Sequence, residues 1–323
     1  MVSSLEKPNM PKNILEQLSR GPVLGDGGYL LELERRGYVE SGSEYEMVGT
    51  GKGSGQYTPQ VAIENPDALR LLHDEFLKAG SMVLQALTFY GTRQKLDSAG
   101  YGSKVEEINN AAVALAKEVA GDKALVAGTI SRTQLFERKG PSAAEYVREL
   151  FDEQARLLKE AGVDFFILET FFSLQEMLIA LGCVRELDLP VVATMSFRPK
   201  VTATADGVSV ADCARKLVDN GADVVGANCE QSPRHLLPIL LQMRDVVEVP
   251  IAGQPAAFRT TDETPCFTKM KEFPDDLETI QISRGEFLDF AKQAKKAGIN
   301  YIGGCCGCNA SYIRTLKKGL SLD

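Results

Sequence analysis

The chain has 323 residues, 44% hydrophobic and 25% charged, and its 36 Lys and Arg against 44 Asp and Glu give a net charge of −8. This composition supports a sizeable core and excludes collagen-like, disordered and small disulfide-stapled classes. No block of like charge offers a phosphate-binding stripe, no apolar run reaches the roughly 18 to 20 residues that span a bilayer, and the start lacks a signal-peptide apolar region. Nucleic acid and membrane are therefore not expected as partners, and the chain reads as cytoplasmic.

Short β-branched runs alternate with helical patterns along the whole chain. Strands are expected at residues 23–24, 82–88, 124–129, 164–169, 190–196, 223–228, 250–253 and 300–303. Helices between them start at capping boxes: Ser142 with Glu145, Ser173 with Glu176, Ser209 with Asp212, and Ser283 with Glu286. Three helices exit through a glycine directly into a strand, at Gly162, Gly221 and Gly298, which is the chemistry of a short αβ loop. Eight such units match a single-domain (β/α)8 TIM barrel over residues 1–323, and the GxGxxG entry of a doubly wound open sheet is missing.

Two segments break the pattern. Residues 41–57 carry five glycines and read as a mobile loop after the first strand, while residues 256–281, after the seventh, mix prolines, aromatics and charges. In a barrel both lie on the C-terminal face, where active sites sit, so either can act as a lid.

Seven cysteines form no regular disulfide framework, and with only His73 and His235 present, thiolate chemistry leads over histidine-based catalysis. Cys305 and Cys306 end the eighth strand among Gly303, Gly304 and Gly307, and Cys229 ends the sixth. Adjacent strand residues face opposite sides, so a shared ligand requires the backbone twist those glycines permit. Three thiolates without a fourth protein ligand suit Zn²⁺ with one open position, the mark of a catalytic site. Buried cysteines can also serve as small apolar residues, the reading for Cys183 and Cys213 inside helices. Cys308 is an alternative ligand, and Cys266 has no evident partner.

Over nearly its whole length the chain resembles the zinc-dependent homocysteine S-methyltransferases. The likeness rests on Gly25-Asp26-Gly27-Gly28, Thr88-Phe89-Tyr90, Glu169, Gly226-Ala227-Asn228-Cys229 and Gly303-Gly304-Cys305-Cys306-Gly307. The betaine–homocysteine branch is most similar, through Glu34-Arg35-Arg36-Gly37-Tyr38, Asn65-Pro66-Asp67-Ala68 and His73-Asp74-Glu75-Phe76. The resemblance implies that Cys229, Cys305 and Cys306 hold zinc and are the catalytic residues, with homocysteine sulfur as fourth ligand. It further implies that Asp26, the Gly27 and Gly28 amides and Glu169 bind the amino-acid end of homocysteine, with Asn228 beside the metal or simply a strand-end polar residue.

Tyr90 matches a donor-site tyrosine of the betaine branch. Tyr57 stands where that branch usually has tryptophan, Thr170 where it usually has tyrosine, and Phe171 and Phe172 are candidates to fill the gap. The implied activity is methyl transfer from an onium donor, with glycine betaine favoured, to homocysteine, forming methionine. Dimethylsulfoniopropionate, S-methylmethionine and S-adenosylmethionine stay open as donors, and a zinc-holding scaffold is the non-enzymatic alternative. The chain stops 15 residues after Cys308, where animal betaine enzymes continue into a dimerisation arm, so the oligomeric state stays open.

Overall fold

The computed structural model describes residues 13–39, 59–197, 202–273 and 276–322. Eight strands form one parallel sheet: β1 (Val23–Leu24), β2 (Val83–Gln85), β3 (Leu125–Ser131), β4 (Phe165–Phe171), β5 (Val191–Met195), β6 (Val224–Asn228), β7 (Ile251–Gln254) and β8 (Tyr301–Ile302). Their spatial order is β1-β8-β7-β6-β5-β4-β3-β2. At the seam the Met82 N–H donates to the Leu24 carbonyl at 2.8 Å, so the sheet curls into the expected barrel.

A helix follows each strand and packs outside it: α1 (Pro66–Ala79), α2 (Val105–Ala120), α3 (Ala144–Ala161), α4 (Leu174–Arg185), α5 (Val210–Asp219), α6 (Pro233–Arg244), α7 (Arg284–Lys296) and α8 (Ala310–Leu320). Ser173, Ser209 and Ser283 cap α4, α5 and α7 as expected, and at Ser283 the reciprocal bond from Glu286 completes the box. Ser142 does not cap α3. Pro141 instead sits at the start of a 3-10 turn over Gly140–Ala143, the Ser142 hydroxyl donates to the Lys139 carbonyl at 2.8 Å, and the helix begins two residues later. Gly162, Gly221 and Gly298 all adopt positive φ at the helix exits, at 85°, 93° and 75°.

Strand alternation separates two apolar layers. Val23, Val83, Leu125, Phe165, Val192, Val224 and Tyr301 fill the barrel, whose lower end is plugged by Ile14 and Leu18 of the helix Ile14–Arg20. Leu24, Leu84, Val126, Phe166, Ala193 and Val225 face the helices. Continuing the inward parity upward reaches Gln85, Thr129, Glu169, Asn228 and Gln254, so the C-terminal end of the barrel carries a polar layer above the apolar ones.

The strand bounds differ from expectation at two places that matter. β2 ends at Gln85, three residues early, because the chain turns there, with the Thr88 N–H donating to the Ala86 carbonyl at 2.7 Å. β4 runs two residues further than expected, to Phe171, and its register against β5 shifts between Leu168 and Phe171, the signature of a bulge at Glu169 and Thr170. Residues 41–57 lie outside the described residues. The other irregular segment holds two 3-10 turns, Phe267–Lys269 and Leu277–Ile280, and buries Phe258, Cys266, Phe267 and Leu277. Among the described residues no helix is long and apolar enough to cross a membrane.

Candidate active site

The three cysteines singled out from the sequence converge at the C-terminal mouth. The Sγ atoms of Cys229, Cys305 and Cys306 all lie within 4.8 Å of one another, and Cys229 and Cys306 are 3.5 Å apart. Local backbone bonds set this arrangement. The Cys229 N–H donates to the Gln254 carbonyl at 2.9 Å, tying the end of β6 to β7. The Cys305 N–H donates to the Pro255 carbonyl at 2.9 Å, and the Cys308 N–H returns to the Cys305 carbonyl at 3.0 Å, closing a tight turn after β8.

Cys229 and Glu230 both hold positive φ, at 59° and 56°, a conformation that costs a non-glycine residue on the order of 1 kcal/mol or more. Phe258, Phe267 and Leu277 of the 256–281 segment cover the thiols as an apolar cap.

Hydrogen bonding among the three thiols, together with their burial, pushes all of them well above the ordinary thiol range, so without a cation they stay protonated. A soft divalent metal reverses that balance by binding thiolates, and three sulfurs at this spacing are a fitting donor set for it. Cys308 is not part of the cluster: it is fully buried and its Sγ donates to the Pro255 carbonyl at 3.5 Å. Cys183 and Cys213 are core residues of α4 and α5, as expected. Cys266 does have partners, Glu230 and Thr268.

One pocket is lined by Gly27, Gly28, Glu169, Tyr90, Thr170 and all three cysteines. Glu169 reaches it on the inward-facing parity of β4, and the bulge turns the chain just after it. Thr170 pays for that turn with a φ of 59°, and Asn228 stabilises it. The Asn228 side chain accepts the Thr170 N–H at 2.9 Å and donates to the Thr170 hydroxyl at 2.7 Å and to Glu169 Oε2 at 3.2 Å. Desolvation, reinforced by the charge of Asp26, raises Glu169 to about 8.

Asp26 does not line the pocket. It is fully buried beneath it and accepts hydrogen bonds from Tyr29 and from both amides of Gln85, two residues that do line it. Gly28 donates its N–H to the Cys308 carbonyl at 2.9 Å. A Cβ on Gly27 would meet that same carbonyl at 2.1 Å, so glycine is required for the close approach of the two loops.

Tyr90 packs on Phe89 with ring centroids 4.5 Å apart, and the Lys95 ammonium lies 4.5 Å from the Tyr90 ring centre. Arg132, at the end of β3, stacks on Phe172 at 4.2 Å and pairs with Glu137. Phe171 is a core residue packed on Phe151, so neither phenylalanine lines the pocket. Tyr57 lies outside the described residues. Sequence reasoning missed Tyr29, Gln85 and Ser131 as pocket residues, although the period-2 parity of Val83 and Gln85 carries the signal for one of them.

Fold and site together define a (β/α)8 barrel with a three-thiol centre in a pocket at its C-terminal mouth. Residues 23–320 match the family model described as homocysteine S-methyltransferase, and the chain belongs to that family. It is 37% identical over 324 residues to betaine–homocysteine S-methyltransferase 1 of Danio rerio, covering 97% of this chain and 76% of the relative. It is 35% identical over 325 residues to S-methylmethionine–homocysteine S-methyltransferase of Pongo abelii, covering 97% and 83%. The metallated form of the homocysteine methyltransferase MmuM from Escherichia coli shares the fold, with a TM-score of 0.73 at 18% identity over 95% of this chain and 99% of that one.

Proposed function

We propose that the chain transfers a methyl group from a carboxylated onium donor, with glycine betaine favoured, to the thiolate of homocysteine, forming methionine, with Zn²⁺ held by Cys229, Cys305 and Cys306. The observation that carries this reading is the presence of three converging thiols, Glu169 and Tyr90 on the walls of one pocket. Zinc bound by these thiols withdraws charge from a substrate thiol and lowers its pKa, so that the sulfur is available as thiolate near neutral pH.

The chain's own residues do the rest. Glu169, held by Asn228, receives the ammonium of homocysteine, and that positive charge offsets the desolvation of the carboxylate. Tyr90 presents an aromatic face to the onium group, which stabilises a cation without offering a competing nucleophile. Lys95 places a cation beside Tyr90, which suits a donor that carries a carboxylate beside its onium centre. Phe258, Phe267 and Leu277 keep water from the sulfur cluster. As the sulfur forms its bond to the methyl carbon, the bond from that carbon to the donor heteroatom breaks, and its electron pair leaves with the neutral amine or sulfide.

A sulfonium donor is the second reading. Thr170 lines the pocket at a position where the resemblance implies an aromatic ring, and the Pongo abelii relative is named for S-methylmethionine. Incubating the protein with homocysteine and each donor in turn, read as methionine formed, tests the reading. Absence of methionine with every onium donor overturns it.

A further inference from the structure

Below the pocket lies a chain of buried polar groups that the reaction as described does not use. Three donors meet the Asp26 carboxylate: the Tyr29 hydroxyl at 2.5 Å and the Gln85 N–H at 2.6 Å on Oδ2, and the Gln85 side-chain amide at 2.7 Å on Oδ1. On its far side the Tyr29 oxygen lies 2.9 Å from Nδ1 of His73, a fully buried residue of α1. His73 Nε2 has no hydrogen-bond partner among the described residues.

A phenol carries one proton, so the two contacts of Tyr29 determine each other. When Tyr29 donates to an ionised Asp26, His73 donates from Nδ1 to the Tyr29 oxygen, and only a lone pair on Nε2 is left unmatched. When Asp26 is protonated both bonds reverse, and His73 becomes the Nε2–H tautomer, with a buried N–H that has no acceptor. The first arrangement aims three donors at a carboxylate; the second strands a donor. Burial holds His73 neutral, lowering it to about 3, so the imidazole contributes hydrogen bonding rather than charge.

The charged and titratable groups around Asp26 do not favour its ionisation. Glu169 and Tyr301 both interact with it electrostatically, and either one, when ionised, repels it. Desolvation raises Asp26 to about 6, and the bonds from Tyr29 and Gln85 act in the opposite direction. Hydrogen bonding is thus the force that opposes burial at this site.

We propose that Tyr29, held by His73, is a positioning residue that keeps Asp26 ionised beneath the pocket, so that the ammonium of homocysteine, paired with Glu169, is further stabilised through the pocket floor by the field of a second, buried anion. This rests on the proposed pairing of the homocysteine ammonium with Glu169 and on the part that the family resemblance implies for Asp26 in holding the same end of the substrate. Tyr29 reaches both the pocket and the buried carboxylate, which makes it the link between them.

The test compares wild type, Tyr29→Phe, His73→Gln and Asp26→Asn for homocysteine affinity from acidic to alkaline pH. Tyr29→Phe should bind about ten-fold more weakly on the acid side of neutrality, its acid limb shifted up by about one unit, and should converge with wild type at alkaline pH. That convergence is what a purely structural defect does not produce. His73→Gln, whose amide can still donate to Tyr29, should retain the wild-type profile. Equal weakening of Tyr29→Phe at every pH, or none, overturns the inference.

The ¹³C shift of the Asp26 carboxyl reads the ionisation directly, and an unchanged titration midpoint in Tyr29→Phe overturns the inference whatever the kinetics. Unchanged homocysteine affinity in Asp26→Asn overturns the ammonium role of Asp26 instead, which separates the two failures.

Discussion

The sulfur of Cys229 lies 3.5 Å from that of Cys306, although the two residues are 77 apart in sequence. In a closed barrel the strands carrying them are separated only by β7, and the bond from the Cys229 N–H to the Gln254 carbonyl sets one side of the approach. Three buried thiols this close do not ionise together without a compensating cation. Protein purified under reducing conditions should therefore carry about one zinc per chain. Cys306→Ala should lose the metal and the methyl-transfer activity together, as read by elemental analysis and methionine formation. Full activity in metal-free wild type would refute the zinc mechanism.

Gly28 tests how tightly the first loop is fitted to the thiol turn. A Cβ there would stand 2.5 Å from the Cys305 carbonyl oxygen and 3.2 Å from the Cys306 Cα, both backbone atoms that cannot swing aside. Gly28→Ala should displace the turn, lowering the melting temperature and the bound metal in the same preparation. A variant with wild-type metal content would show that the two loops adjust independently.

Glu169 should show a pH dependence of defined sign. Its folded pKa of about 8 lies above the ordinary 4.5, mainly through desolvation, so the unfolded chain loses this proton first as pH rises. Its contribution to stability is therefore fully present below the ordinary value and is lost as pH rises through the folded one. Without substrate, Glu169→Gln should flatten that part of the stability curve.

Homocysteine's ammonium favours the carboxylate, so binding near neutral pH should release a proton from Glu169 that the variant does not release. Calorimetry in buffers of different ionisation enthalpy measures that difference. Removing this charged hydrogen bond should also weaken homocysteine binding by on the order of 1.5 to 3 kcal/mol. Equal proton release from both proteins returns Glu169 to a structural part.

The elements most visible in the sequence are those that local chemistry determines. Gly162, Gly221 and Gly298 mark helix exits because only a residue tolerant of positive φ closes those turns, and all three do so. Cys229 and Cys305-Cys306 stand out because thiols at two strand ends of a barrel have one place to meet. What escaped depends on neighbours distant in sequence.

Nothing local in Glu169-Thr170 announces a bulge that Asn228 stabilises from 58 residues away. Asp26 was legible as a carboxylate in a glycine-rich loop, but its attachment to Gln85 across 59 residues and its link through Tyr29 to His73 were not. Ser142 misled because its spacing to Glu145 is correct while Pro141 redirects the preceding turn.

The proposed choice of methyl donor turns on Tyr90. Its ring packs on Phe89, the Lys95 ammonium lies 4.5 Å from its centre, and Thr170 lines the same pocket with a small hydroxyl side chain. In the proposed reading an aromatic face binds the onium centre, while the neighbouring Lys95 cation favours a donor with a carboxylate and disfavours one with an uncompensated positive charge. Tyr90→Ala should therefore raise the KM for the donor by about ten-fold or more, equivalent to about 1.4 kcal/mol, while leaving the KM for homocysteine within about two-fold. Side-by-side kinetics should rank glycine betaine or dimethylsulfoniopropionate above S-adenosylmethionine, whose larger adenosyl group also needs room beyond the onium centre. A higher kcat/KM with S-adenosylmethionine overturns the donor assignment but not the homocysteine one, because the parts proposed for the thiol cluster and Glu169 concern the acceptor whichever cation delivers the methyl group.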